Sequence, residues 1–563
     1  MRCVHHYLLQ RHTVSSLVHQ QRLSRGPRAV VVARFLFATL SVSILVSCAT
    51  TTPGARFPRT ESVALANPER TRLGSQIANA ARGQHGTSGF RILSIGVDGF
   101  LARMQLIETA ERTLDLQYYI FRGDQTGRLL TDALLRAADR GVRVRVLVDD
   151  GDTLAGDEQI AAISGHREIE VRIFNPFAYR GHVKLLRALE FAFEFSRLDY
   201  RMHNKLLVAD NAVALIGGRN VGNQYFQIDP ESQLADDDVF AAGPIASRLS
   251  ATFDEYWRSV FAVPVEALRP RRQQVTALAT RRESARPRPK LLKQASASDG
   301  VDYVTRVATG EPLAGLMAGR LPLVWTQAQL ICDSPDKKNV ERGVRAGRLM
   351  TRAVDAVVAG TQSELLMVTP YFIPANDQLQ ILQDLRSRQV AVRILTNSLE
   401  SSLELSAHAH YSRHRVPLLT NGVDLYEARS LLGAARGSGQ PATLSRYGKY
   451  ALHAKLYVFD RQKLFVGSMN FDQRSKRLNT EIGLIIDSPE LSQQTVARFD
   501  AMIQPLNAYA LALRPRSGGR RAQLIWRTRE HDEVVEYTRE PARGIWQRIK
   551  VRLLALLPLS AEL

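Results

Sequence analysis

The sequence predicts an α/β protein built as two similar domains, each a mixed, mostly parallel sheet flanked by helices, packed together as a pseudo-dimer. Three observations carry that expectation. A chain of 563 residues exceeds the roughly 250 to 300 at which single cores stop growing. Short apolar alternations are interleaved with stretches of helical spacing, as in a sheet covered by helices on both faces. One unusual pattern is also written twice at an offset of 250 residues: His203, Lys205, Asp210, Gly217, Gly218 and Asn220, then His453, Lys455, Asp460, Gly467, Ser468 and Asn470.

Along the chain, residues 1–47 come first. Arg34 precedes the uncharged stretch Phe35 to Ser47, which ends in Leu45-Val46-Ser47-Cys48. A positive region, a short apolar region and small residues at its end describe a secretory signal, and the stretch falls short of the ~20 residues that span a bilayer. The ending resembles the lipobox of bacterial lipoproteins, which implies lipidation at Cys48. The positive region is longer than is usual and no Met lies between Met1 and Met104, so initiation near Val30 to Val32 is expected. Residues 48–90, rich in Thr, Pro, Ala, Gly and Arg, read as a tether that ends in a short helix.

The first domain is expected over 91–265. Phe100, Met104 and Ile107 fall at helical spacing and Leu114 to Phe121 reads as a strand. Leu130, Leu134 and Ala138 then mark a helix stopped by Gly141, and Val142, Val144, Val146 and Val148 alternate as a strand does. The linker is 266–299, where Pro287 and Pro289 break any regular element. The second domain, 300–510, repeats the order: a strand over Leu365 to Tyr371, a helix containing Leu382 and Leu385, then a strand with Val390, Val392 and Ile394. Glu170 to Phe174 matches Gly422 to Tyr426. Residues 511–563 form a basic tail.

Hydrophobic residues at 45% and charged residues at 23% exclude a disordered chain. The net charge of +20 is concentrated in three segments. Residues 1–47 hold six Arg and no acid, 266–299 nine Lys/Arg against three acids, and 514–552 eleven against five. A nucleic-acid enzyme more often gathers such residues around its cleft, whereas a basic linker and tail suit an anionic membrane surface. Three cysteines cannot make a disulfide framework; Cys332, inside an apolar run, is expected to be buried and inert.

In a strand, residues i and i+2 share a face, so each motif His lies beside its Lys. The Gly pair permits a turn or a close approach to an anion, and the Asn amide can donate to a phosphate oxygen. Lys is not a usual zinc ligand and each motif offers one His, so no metal is expected there. His408, His410 and His414 form a second cluster, read as surface or cleft-lining histidines.

Both motif copies resemble those of the phospholipase D superfamily, from about Phe100 onward. The resemblance is closest to the bacterial cardiolipin synthase C-like branch, through Met202-His203-Asn204-Lys205, Gly217-Gly218-Arg219-Asn220-Val221-Gly222, Thr369-Pro370-Tyr371-Phe372-Ile373-Pro374, Leu478-Asn479-Thr480-Glu481 and Leu556-Leu557-Pro558-Leu559. It implies a metal-free, cofactor-free reaction in which His203 attacks phosphorus to form a phosphohistidine and His453 is the acid and base. Lys205, Lys455, Asn220, Asn470, Gly218 and Ser468 would hold the phosphate. A downstream acid would orient each His, with Glu481 in the second half and, among Asp236-Asp237-Asp238, Asp238 as the best match. Asp210 and Asp460 complete the catalytic motif and are expected to hold loops without touching substrate.

Water as acceptor would make the protein a phospholipase D-type hydrolase or a secreted phosphodiesterase or nuclease; a lipid hydroxyl would make it a transferase, which requires a site that excludes water. The export signal, the near-neutral body and a tail with Trp546, Ile549, Leu553, Leu554, Leu556 and Leu557 among basic residues favour lipid. The expected partners are phosphatidylglycerol, a second phospholipid left open as donor, and a membrane surface, with no nucleic acid. The expected location is the bacterial cell envelope, lipid-anchored on the periplasmic side.

Overall fold

The computed structural model describes residues 52–151, 160, 163–181, 183–229, 232–268, 322–341, 349–430, 449–515, 522–530 and 533–557. Residues 1–47, expected to be a signal segment, Cys48 and most of the expected linker lie outside the described residues. The first half supplies β1 (Ser88–Leu93), β2 (Thr113–Tyr118), β3 (Arg143–Asp149), β4 (Ile169–Phe174), β5 (Leu206–Ala209), β6 (Val213–Gly217), β7 (Ser232–Ala235), β8 (Asp238–Ala242) and β9 (Ala262–Pro264). After the linker come β10 (Val324–Thr326), β11 (Ala328–Cys332), β12 (Glu364–Val368), β13 (Ala391–Asn397), β14 (Asp424–Ala428), β15 (Lys449–Leu452), β16 (Leu456–Phe459), β17 (Lys463–Gly467), β18 (Ile482–Asp487), β19 (Ala508–Arg514), β20 (Gln523–Glu530) and β21 (Glu533–Tyr537).

One sheet has the order β10-β1-β8-β6-β5-β2-β3-β4-β9 and the other β11-β18-β17-β16-β12-β13-β14-β19-β20-β21. The expected helices are present at Gly96–Thr109, Gln125–Asp139 and Asn376–Ser387. Each strand begins or ends within a few residues of the alternation that marks it. Gly141 follows its helix at φ 90°, a conformation that costs a residue without Cβ nothing.

The sheets are mixed, but parallel pairing does not dominate. In these two sheets it is confined to β2-β3-β4 and β12-β13-β14, and the separate two-stranded pair of β7 and β15 is parallel as well. The motif strands β5-β6 and β16-β17 are hairpins and therefore antiparallel, as are the pairs they make with β8 and β18. Two further departures concern the segments outside the repeat. β10 closes the edge of the first sheet by pairing with β1, although it follows the linker. The basic tail contributes β20 and β21 to the second sheet.

Each sheet packs a cluster of its own on one face, and a third cluster is shared between the two sheets. The shared cluster joins Val239, Leu249 and Phe253 of the first half to Leu484, Val496 and Phe499 of the second. Helices Pro244–Arg258 and Pro489–Met502 supply four of these six residues. Such burial of apolar surface favours a fixed arrangement of the halves at roughly 25 cal/mol per Å² removed from water.

Asp210 and Asp460 occupy the turns of the two motif hairpins, at the end away from His203 and His453. Both adopt positive φ, 50° and 53°. The carboxylate of Asp210 accepts from the backbone N–H of Glu111, Arg112 and Thr113 at 2.8–2.9 Å. Asp460 does the same for Gln362, Ser363 and Glu364 at 2.6–3.1 Å. Their place in the catalytic set is therefore corrected: they tie the hairpin to the start of β2 or β12. Replacing Asp210 by Ala removes three charge-assisted bonds to backbone N–H groups, so Asp210→Ala is expected to lower the unfolding free energy by about 3 kcal/mol. Asp210→Asn, which tolerates positive φ, is expected to cost about half as much, and denaturant melts of the two variants measure the difference.

Candidate active site

Each motif His lies in the extended segment just before its strand, not within it. The N–H of His203 donates to the carbonyl of Thr480 at 2.9 Å, and the N–H of Thr480 to that of Arg201 at 2.9 Å. On the other side β15 pairs with β7, and the N–H of His453 donates to the carbonyl of Ala235 at 2.7 Å. Each half thus lays its His beside the other half's acid segment.

The carboxylates complete that exchange. His203 Nδ1 is 2.9 Å from Oε2 and 3.1 Å from Oε1 of Glu481. His453 Nδ1 is 2.5 Å from Oδ2 of Asp236. Asp236 and Glu481 are fully buried, and the imidazoles are only 6–7% exposed. An ionised carboxylate only accepts, so beside ionised Asp236 and Glu481 each imidazole carries its proton on Nδ1 and presents a lone pair at Nε2.

Asp238, the expected partner of a His, is elsewhere. Its carboxylate meets Arg103 at 2.8 Å and Arg219 at 3.2 Å, a buried ion cluster behind the site. The strand register gives the reason. Gly217 pairs with Asp238 and Gly467 with Gly483, so Asp238 corresponds to Gly483 and Asp236 to Glu481. The signal was present in the sequence: aligning Asp236 with Glu481 sets Val239-Phe240-Ala241 against Leu484-Ile485-Ile486, apolar on apolar.

Gly218 and Ser468, expected at the phosphate, stand behind the carboxylates. A Cβ on Gly218 would lie 2.1 Å from Oδ1 of Asp236. At the matching position the Ser468 hydroxyl donates to Oε2 of Glu481 at 2.5 Å, and Ser475 donates to Oε1 at 2.8 Å. Asn220 Oδ1 accepts from the N–H of Ile120 at 3.1 Å, whereas Asn470 Oδ1 is buried with no hydrogen-bond partner among the described residues.

Lys205 and Lys455 are both 1% exposed. Lys205 Nζ donates to the carbonyl of its own His at 2.6 Å; Lys455 Nζ donates to the carbonyl of His453 and lies 3.1 and 3.3 Å from its two ring nitrogens. Two tyrosines that the motif does not announce complete the walls. Tyr119 meets the His203 ring edge-on at 5.1 Å and Tyr225 the His453 ring at 5.3 Å. Tyr225 stands where the repeat places Ser475, a correspondence visible only once the two halves are superposed residue by residue.

Burial dominates the ionisation of this cluster. Burial together with Lys205 and Lys455 pushes His203 well below the ordinary imidazole range. Burial and Lys455 lower His453 to about 4, against the opposing pull of Asp236. Burial raises Glu481 to about 7 in spite of Lys205 and the serine hydroxyls. Against that same effect of burial, His453 and Lys455 hold Asp236 well below the usual carboxylate range. Lys455 falls to about 8 and Lys205 well below its ordinary value, burial leading in both. Near neutral pH the site offers two neutral imidazoles beside two buried amines, which suits attack and proton transfer around one anionic centre.

Of the second histidine cluster, His408 Nε2 pairs with Glu540 at 2.7 Å and His410 Nδ1 with the carbonyl of Ser406 at 2.9 Å. Among the described residues no group of three His, Cys, Asp or Glu side chains is placed to hold a metal ion. Cys332 is buried.

The family profile described as "Cardiolipin synthase, PLD-like domain" matches residues 104–257 and 356–503. Cardiolipin synthase C of Escherichia coli (strain K12) is 36% identical over 492 residues, covering 87% of this chain and 99% of that protein. An uncharacterized protein of Helicobacter pylori (strain ATCC 700392 / 26695) is 30% identical over 428 residues, covering 76% of this chain and 82% of its own. Among solved structures, phosphatidylserine synthase of Haemophilus influenzae Rd KW20 aligns with 77% of this chain and 92% of its own, at 14% identity and a TM-score of 0.48.

Gly218→Ala tests the geometry directly. The added methyl forces Asp236 away from His453, and because that carboxylate raises the imidazole pKa, the His453 titration midpoint is expected to move below its value of about 4. Histidine ring NMR reads the shift, and an unchanged midpoint would count against the pairing.

Proposed function

The chain belongs to the cardiolipin synthase, phospholipase D-like family, and from that premise we propose that it moves a phosphatidyl group onto phosphatidylglycerol through a phosphohistidine at His203. The crossed, buried His and carboxylate pairs are the observation that carries this reading. His203 Nε2 attacks phosphorus, the P–O bond to the leaving alcohol breaks, and His453 gives that alcohol its proton. His453 then takes the proton of the incoming glycerol hydroxyl, whose oxygen attacks the phosphohistidine and frees His203. Lys205 and Lys455 stabilise charge on the non-bridging oxygens.

The unequal environments support this division of labour. Asp236 is held firmly ionised and favours a protonated His453 once substrate charge arrives, which suits the acid and base. Glu481, raised to about 7, stabilises an imidazolium less well, and His203 stays neutral and nucleophilic. Burial of all four groups limits water, which favours transfer over hydrolysis.

The reading includes a membrane surface, since the substrates are membrane lipids. No helix of the described residues is long and apolar enough to cross a bilayer. Two helices expose apolar side chains instead. Helix Lys184–Phe193 exposes Leu185 and Phe193, at 67% and 86%. The tail helix Ile545–Leu554 buries Val551 yet exposes Trp546 and Leu553 beside Arg548, Lys550 and Arg552. Such faces suit an anionic lipid interface. Lipid anchorage at Cys48 on the periplasmic side belongs to the same proposal.

Incubating labelled phosphatidylglycerol vesicles with the protein is expected to yield cardiolipin and glycerol, and His203→Ala is expected to yield neither. Phosphatidic acid as the main product would mean hydrolysis instead. Leu185→Ser combined with Phe193→Ser is expected to weaken vesicle binding of the unacylated protein about tenfold or more, measured by co-sedimentation; unchanged binding would remove that helix from the interface.

A further inference from the structure

A cavity of about 680 Å³ opens beside the second motif, between the segment from Ile373 to Asp377, the helix Leu405–Tyr411 with the residues after it, and the helix Gln473–Arg477. Its walls continue directly from the active centre. Phe372, next to Ile373, pairs with Phe471, which follows Asn470; Ser475, on the Gln473–Arg477 helix, donates to Glu481.

Two buried polar atoms of its lining lack a partner among the described residues. His410 is 1% exposed, and its Nδ1 lies 2.9 Å from the carbonyl of Ser406. A carbonyl cannot donate, so Nδ1 carries the proton and Nε2 of the neutral ring is a bare acceptor. That Nε2 is buried without a hydrogen bond, and so is Oε1 of Gln473. An unpaired buried acceptor costs roughly 1–3 kcal/mol, so two around one cavity ask for a ligand with hydroxyl donors.

The rim asks for something else. Arg413, Lys476 and Arg477 line it against a single acid, Asp377, which pairs with Lys476. Arg413 donates to the neutral carbonyl of Ala555 and to no carboxylate among the described residues, and Arg477 is exposed with no polar partner among the described residues. An excess of cations around neutral acceptors favours a phosphate carrying a polyol and disfavours an ammonium headgroup.

We propose that this cavity holds the phosphoglycerol headgroup of a phospholipid, its phosphate against Arg477 and Arg413 and its glycerol hydroxyls on His410 and Gln473. The proposal rests on the transferase reading for its biological sense, since such a headgroup is the accepting alcohol. It commits the acceptor to the face of the second half, next to Asn470.

The test uses the full chain carrying His203→Ala, titrated calorimetrically with glycerophosphoglycerol, glycerophosphoethanolamine and inorganic phosphate. Glycerophosphoglycerol is expected to bind at least about tenfold more tightly than either comparator, and Gln473→Leu, Arg477→Ala or His410→Phe each to weaken it about tenfold, one lost hydrogen bond or ion contact apiece. If His410→Phe fails to fold in a thermal melt, the Gln473 and Arg477 variants carry the test. Equal binding of inorganic phosphate or of glycerophosphoethanolamine, no binding, or no response to the variants would overturn the proposal. Headgroup binding in this pattern by the His203→Ala chain, with no cardiolipin made by the protein that retains His203, would uphold the cavity and sink the transferase reading; cardiolipin synthesis by the protein that retains His203, without headgroup binding, would do the reverse.

Discussion

Everything in this structure is arranged around the crossed pairing of His203 with Glu481 and His453 with Asp236. Neither half contains a complete pair. A buried carboxylate without a partner costs several kcal/mol, so each half alone would leave one acid and one imidazole stranded. The shared core of the two sheets and the β7–β15 pairing answer that demand, because they fix the backbone beside each acid to the backbone beside the other half's His. Backbone bonds set the register; the side-chain pairs then need no adjustment.

Symmetry of sequence is turned into asymmetry of chemistry by two positions. Where the first half has Gly218 and Tyr225, the second has Ser468 and Ser475. Gly218 lets a short carboxylate come close without competition, and Asp236 remains ionised beside His453 and Lys455. The longer Glu481 is wrapped by two hydroxyls yet lies deep enough to rise to about 7. One motif written twice therefore gives two imidazoles of different character. Repetition supplies the parts, and small neighbours assign the work.

The alternations at β2, β3, β12 and β13, the helices between them and the doubled motif were all legible, because each depends on periodicities of two or 3.6 residues within one segment. Glu481 came instead from the resemblance to the family's motif, which did not carry its crossing to His203 of the other half. What the sequence concealed depends on pairing between distant segments. The dominance of antiparallel pairs follows from the motif hairpins and their neighbours β8 and β18, and the addition of β10 to the first sheet is decided by an edge strand in the other half's wake. The choice of Asp236 over Asp238 required the register of β6 on β8, although the apolar residues after the three acids already contained it. Asp210 and Asp460 sit after a strand and before a turn, where an acid has backbone N–H groups as its natural partners, and the structure gives them those partners.

The electrostatics of the site make sense only with an anion in place. Lys205 and Lys455 are lowered chiefly by burial, and each imidazole by burial first and then by the neighbouring lysines. A phosphodiester entering between them brings a negative charge into the same desolvated volume, where charges interact several times more strongly than in water. Every group that burial has depressed is then raised, and His453, already facing a firmly ionised Asp236, gains most. The proton needed by the leaving alcohol is thus favoured on His453 only when there is a phosphate to cleave. An exposed site would hold its imidazoles near their ordinary pKa of about 6.5 whether or not substrate was bound, and would have lost this coupling between binding and protonation.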